Sequence, residues 1–176
     1  QDIFDGTGVA LCVLDLSGLR GFFDKAQLHT REQLQEWLHN SPEQRQQLLK
    51  ELRITEVNQV AVSLLNVASC EQAWERLIDG CPLNTSAIGY AVLEAVLIQH
   101  KQLELEIQLS DIEGNDQYLW LVMRLPEEQH DYKAVILSIS DITSRKLVEL
   151  SLVEREAFWS DVVRTVPDHL YVQDVI

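Results

Sequence analysis

The residues that could ligate a metal or act as nucleophiles are present in this chain, but their spacing does not assemble them. His29, His39, His100, His130 and His169 are scattered, with no HExxH pair to put two imidazoles on one helical face and no close Cys/His group. Cys12, Cys70 and Cys81 are odd in number and form no CxxC, so they read as free thiols in a reducing compartment. No GxxxxGK loop is present to cradle phosphates. Gly6-Thr7-Gly8 precedes the first apolar run instead of following one, which excludes a dinucleotide fingerprint. No GxSxG elbow presents a serine. Glu104 and Glu106 are paired acids on alternate positions of one run, which makes a solvated strand face and not a general acid with its base. The expectation is a chain with no catalytic residues and no metal site.

The remaining bulk properties narrow the class. A formal charge of -14 repels phosphate backbones, and no Lys/Arg stripe reverses that field locally, so nucleic acid is not an expected partner. The longest mostly apolar run, residues 90–98, is interrupted by Glu94 and is too short to span a bilayer. At 176 residues the chain has room for one well-buried domain and an appendage. It opens Gln-Asp-Ile and carries no signal-peptide pattern, and it reads as an internal, cytoplasmic excerpt.

Residues 9–15 are apolar and β-prone up to a Ser17-Gly18 break, and predict a strand. Two helical segments follow within residues 28–51, split at Asn40-Ser41-Pro42. Thr30 or a neighbour caps the first, and Ser41 caps the second with Pro42 in its first turn. Residues 52–58 alternate as a short strand. Two short helices come next, with Asn58 and Ser69 where N-caps are wanted. Residues 86–101 predict a helix. Three strand-like runs close the set: strict alternation over 102–110, a return over 118–125 after Gly114-Asn115, and 134–140. This order predicts an α+β fold, an antiparallel sheet of about five strands covered on one face by helices.

The last strand hands over to a helix with almost nothing between. Residues 134–140 alternate, and from Arg145 onward apolar residues recur every three or four positions. Val148, Leu152, Arg155, Trp159 and Val162 step by four and three, a heptad seam with one charge inside it. A helix of about 20 residues is near 30 Å long. Its narrow apolar stripe predicts burial against an identical helix, hence a homodimer, and Arg155 weakens that seam as suits a switch.

The string VNQVAVSLLNVAS, with Asn58, Ala61, Leu64 and Leu65, and the terminal DITSRK, in this order of elements, resemble the PAS domains of bacterial signalling proteins. The helical insertion carrying NSPEQRQQLL is similar to one sub-group of them. The resemblance implies a PAS sensor domain over residues 1–143 with the insertion at 28–51. It implies a linker or coiled-coil helix over 144–165, and the start of a following PAS module over 166–176. It implies a non-catalytic sensory and dimerisation module. The output domain downstream in the same chain would turn over cyclic di-GMP, as a diguanylate cyclase or phosphodiesterase of the GGDEF/EAL kind, and the parent protein could be anchored in the inner membrane.

Asp141, Ile142 and Thr143 are then the signal relay, and Thr143 stands where the last helix needs an N-cap. Asn58 is the structural cap of the helix after the second strand. PAS folds often hold a small molecule between sheet and helices, so Cys12, Tyr90, Leu93, Leu97, Trp120, Met123 and Arg124 are pocket candidates. Which alternate set of residues 118–125 faces inward is left open: Leu119, Leu121 and Met123, or Trp120, Val122 and Arg124. No cofactor is required. The rival reading is a receptor of a sensor histidine kinase that binds flavin, haem or a metabolite. His100 is the haem candidate, and Cys70 lacks the sequence context of the photoactive flavin type.

Overall fold

In the computed structural model, the residues described are 6, 8–40, 48, 52–79, 87–110, 114–127 and 132–165. Five strands are β1 Ala10–Asp15, β2 Arg53–Val57, β3 Gln102–Ser110, β4 Asp116–Arg124 and β5 Val135–Asp141. Six helices are α1 Ser17–Ala26, α2 Arg31–Asn40, α3 Gln59–Leu65, α4 Cys70–Asp79, α5 Ala87–Leu97 and α6 Thr143–Thr165. The chain divides into two compact units, Gln1–Ile142 and Thr143–Ile176.

All strands pair antiparallel in the order β2–β1–β5–β4–β3. Residues opposite one another in such a ladder share a face, so the register sorts the side chains. Leu105 pairs with Leu121, Leu121 with Ile139, and Ile139 with Ala10. Leu121, Ile139 and Ala10 are buried and Leu105 is half-buried. This inner face and the helices over it form the core, with Leu19 and Phe23 of α1, Leu34 of α2, Ala61 and Leu65 of α3, Leu77 of α4 and Val96 of α5 all enclosed. The register settles the open alternate on β4. Leu119, Leu121 and Met123 face the core, while Trp120, Val122 and Arg124 lie on the opposite face.

Three helix starts are set by side-chain caps. Gln33 N donates to Thr30 Oγ1 at 3.3 Å and Gln33 Oε1 accepts from Thr30 N at 3.1 Å, a reciprocal box opening α2. Gln72 N donates to Ser69 Oγ at 3.2 Å at α4. Asn58 caps α3, its Oδ1 accepting from Ala61 N at 2.9 Å.

Helix α1 was not expected. Gly18 and Gly21 lower its intrinsic propensity, yet Leu19, Phe22 and Phe23 recur on one face and pack inward. Asp15 Oδ1 accepts from both Ser17 N and Ser17 Oγ at its start, and those bonds hold the Asp15 carboxyl below the usual carboxylate range. Of the second insertion helix only Leu48 is described, helical and fully buried; the Ser41 cap lies outside the described residues. Helix α5 stops at Leu97, earlier than expected. Gln99 takes a left-handed backbone there (φ 55°) and His100 N donates back to Ala95 O, which ends the helix. The last helix begins at Thr143, so Ile142 and not Thr143 occupies the capping position. Ile142 N still donates to Tyr118 O at 2.9 Å, keeping that residue in the sheet ladder.

Candidate functional site

A small, partly enclosed hollow lies over the middle of the inner sheet face. Its wall is Leu14 of β1, Trp74 and Leu77 of α4, Ile88 and Val92 of α5, Leu103 and Leu105 of β3, Leu121 and Met123 of β4, and Leu137 of β5. These meet it with carbon and sulfur alone, and its volume is about 10 Å³. A hollow this size sits at the lower limit for one water, and an apolar wall gives water no partner, so it stays dry.

Of the pocket candidates, Met123 alone lines this hollow. Cys12, Leu93 and Leu97 are buried elsewhere in the core. Tyr90 is half-buried, and burial pushes its phenol up. Trp120 and Arg124 lie on the far side of the sheet. Helix α5 supplies Ile88 and Val92 instead. It is apolar on nearly every side, so period alone does not say which residues face the hollow. It is tied to α2 by Arg31, paired to Glu94, and to α1 by Arg20 Nη1, which donates to Val96 O at 3.5 Å.

Asn58 is the one buried polar residue among those described. Its Oδ1 also accepts from Leu11 N at 2.9 Å, its Nδ2 donates to Val9 O at 2.8 Å, and its backbone N–H donates to Leu11 O at 3.0 Å. One side chain therefore ties β1, the end of β2 and the start of α3. Cys12 pairs with Val57, the residue before Asn58. Burial, with a smaller contribution from the Cys70 thiol, pushes Cys12 up to about 12, so it stays protonated at neutral pH. Cys70 is half-buried and also pushed up, first by burial and then by the charges of Glu71 and Glu56. Cys81 lies outside the described residues.

At the same end of the strands, β5 ends at Asp141, Ile142 intervenes, and α6 begins at Thr143. Asp141 is exposed and Ile142 is buried. On α6, Val148 and Leu152 of the expected seam are exposed at 61% and 51%, and Arg155 is exposed as well. The side chains of Trp159 and Val162 lie outside the described residues. The seam is not the helix's only apolar stripe. Leu147, Leu150 and Val153 are exposed too, and at about 100° per residue they fall on the opposite side from Val148 and Leu152.

An antiparallel sheet in the order β2–β1–β5–β4–β3, with helices over one face and an outgoing helix joined directly to β5, is the PAS fold. No family model and no curated protein sequence matches the chain. The solved structures that are similar include two PAS domains. One is the PAS domain of a protein from Colwellia psychrerythraea, at 19% identity over 81% of this chain and 93% of that one, with a TM-score of 0.49. The other is the PAS domain of an HTR-like protein from Haloarcula marismortui, at 13% identity over 80% and 92%, with a TM-score of 0.43.

Flavin and haem can be tested against these side chains. The wall offers no donor or acceptor to a flavin ring edge. His100 is exposed at the sheet margin with Nδ1 against Gln102 O, and no histidine lines the hollow. The described residues therefore do not fit either group. Among the described residues no three of His, Cys, Asp and Glu gather to hold a metal ion, and no helix is long and apolar enough to cross a membrane.

Proposed function

We propose that this chain is a sensory and dimerisation module of a bacterial signal-transduction protein, without catalysis of its own, that works through α6. The carrying observation is the set of exposed apolar side chains on a helix separated from β5 by the single residue Ile142. A helix bearing Val148 and Leu152 in water lowers its free energy by pairing with a second copy, and Arg155 in the seam keeps that pairing weak enough to be reversed. A rearrangement of the core reaches the helix through Asp141, Ile142 and Thr143. In this reading a further PAS module and an output domain follow in the same chain. The output turns over cyclic di-GMP, and the parent protein works in the cytoplasm from an inner-membrane anchor. Sedimentation of the full chain tests the pairing: Leu152→Glu is expected to shift dimer to monomer, and an unchanged mass would overturn it.

A second reading, a receptor, requires the hollow to widen well beyond its volume of about 10 Å³. Its wall selects against charged and hydrogen-bonding ligands, so the ligand would be small and uncharged. Mass spectrometry of a denatured extract separates the two: a stoichiometric small molecule supports the receptor, and an empty extract supports the relay alone.

A further inference from the structure

The helical insertion is the part of the chain that neither the hollow nor α6 draws on, and it holds a cleft of its own. Gln33, Glu36, Trp37 and Asn40 follow one another at three- and four-residue steps, so they share one face of α2. The turn that ends α1 supplies the rest of the wall, Gln27 and Leu28. Between them lies an open cleft of about 300 Å³, room for a small organic molecule. The turn is well fixed. Gln27 takes a left-handed backbone (φ 56°) and its N–H donates to Asp24 O, while Leu28 N donates to Phe23 O at 2.9 Å and the Leu28 side chain is buried.

The charge of the wall has one sign. Glu36 is exposed and has no ion pair among the described residues, and no Lys or Arg lines the cleft. Asn40 is the last residue of α2, where the helix's own carbonyls add partial negative charge. Trp37 is half-buried and packed against Phe22, ring to ring at 5.3 Å and 74°, so the indole is held beside that carboxylate before any ligand arrives. Gln33 adds a donor. Its Oε1 already accepts from His29 N at 2.8 Å and Thr30 N at 3.1 Å, which leaves Nε2 as its free end.

These groups select among ligands. Glu36 and the helix end repel an anion. A primary ammonium holds its water tightly, and on an open wall it gains little by exchanging that water for one exposed carboxylate. A quaternary ammonium is weakly hydrated, carries its charge on an apolar surface, and is drawn to an indole with a carboxylate beside it. An oxygen on the same molecule, about 5 Å from the charge, reaches Gln33 one turn back along α2.

We propose that the cleft between α1 and α2 binds a small quaternary ammonium ion bearing a hydrogen-bond acceptor, with the charge between Glu36 and Trp37 and the acceptor at Gln33. The site is separate from the apolar hollow and does not rest on the reading of α6.

The probe is choline, and its uncharged twin is the alcohol in which carbon replaces the nitrogen. The four tryptophans of the full chain each give an indole N–H signal by NMR, and that of Trp37 is the one lost in Trp37→Phe. Choline is expected to shift the Trp37 signal with half-saturation at about 1–10 mM, the range of one cation–π contact and one exposed ion pair. The uncharged twin on the parent chain, and choline on Glu36→Gln, are each expected to need at least about fivefold more. Glu36 is solvent-exposed, so Glu36→Gln should match the parent by circular dichroism, and a weakened shift is then weakened binding. No saturable shift of Trp37 up to about 50 mM choline, an equal response to the alcohol or in Glu36→Gln, or a shift centred on Trp74 in the wall of the hollow would overturn the proposal.

Discussion

The fold passes from strand to helix with a single intervening residue at two joints, and the two are held by different forces. Asn58 sits between β2 and α3, and Ile142 sits between β5 and α6. The first is fastened by directional bonds: the buried Asn58 side chain makes three and its N–H a fourth. The second is fastened by burial of an apolar side chain and one ladder bond to Tyr118 O, and Ile142 brings no side-chain acceptor to the helix that follows. A set of hydrogen bonds specifies one geometry and fails sharply when that geometry is lost. A buried aliphatic group tolerates small rotations at little cost, which suits the joint through which a relay would have to move.

Removing Asn58 is the strongest way to break the contrast. Asn58→Ala leaves the buried Ala61 amide without its acceptor and frees the part-buried Leu11 amide and Val9 carbonyl, and is expected to cost about 3–4 kcal/mol of stability, read as a lowered urea midpoint. Asn58→Asp sharpens the point. It keeps the two acceptor bonds but turns a carboxylate oxygen toward Val9 O, so the buried acid's pKa rises above its unfolded value. The variant is then least impaired below about pH 4 and loses stability as pH climbs toward neutrality. Equal loss at pH 4 and pH 7 would show that the Val9 bond does not matter.

Ile142→Ala is expected to cost about 2–3 kcal/mol, less than Asn58→Ala, because it removes only apolar packing from a side chain that is 8% exposed. Ile142→Val, which keeps most of that packing, is expected to restore all but about 1 kcal/mol. If Ile142→Val were as damaging as Ile142→Ala, the second joint would need one specific shape and would be no softer than the first.

Cys12 gives the first joint an internal reporter. Its folded pKa of about 12 lies above the 9.0 of a free thiol, so its contribution is complete below pH 9 and is lost as pH rises toward 12, while the unfolded chain ionises and the folded one does not. Stability is expected to fall by about 1.4 kcal/mol per pH unit in that window, and Cys12→Ala should remove this slope. At neutral pH a thiol reagent is expected to label half-buried Cys70 well before Cys12, and Asn58→Ala to bring the two rates together.

How much of this could be read from the residues in order depends on whether one element or two had to be known. The alternation of residues 102–110 and the Asn58 cap are local signals, and both elements stand where they were expected. The face of β4 was not local. Both of its alternate sets contain large apolar residues, and only the pairing of Leu105 with Leu121 decides between them. Helix α1 was hidden by two glycines, although the spacing of Leu19, Phe22 and Phe23 would have shown it. The hollow was least legible of all, since Ile88 and Val92 come to it from a helix with no polar stripe to orient it.

The smallest test asks whether the stiffness of the first joint depends on the far end of α3. That helix has only seven residues, too few to stand on helix propagation alone, so its ends must be held. Asn66 closes it with a left-handed backbone (φ 52°) and an N–H bond to Val62 O. Glycine takes that conformation without strain, whereas a β-carbon without a polar head does not. Asn66→Ala is expected to cost about 1 kcal/mol and Asn66→Gly to fall within about 0.5 kcal/mol of the parent, both from urea midpoints. Combining Asn66→Ala with Asn58→Ala should cost less than the sum of the two, because a helix already loosened at its start has less to lose at its end. Strict additivity would mean that the two caps act on separate structures and that the corner at Asn58 is rigid on its own account.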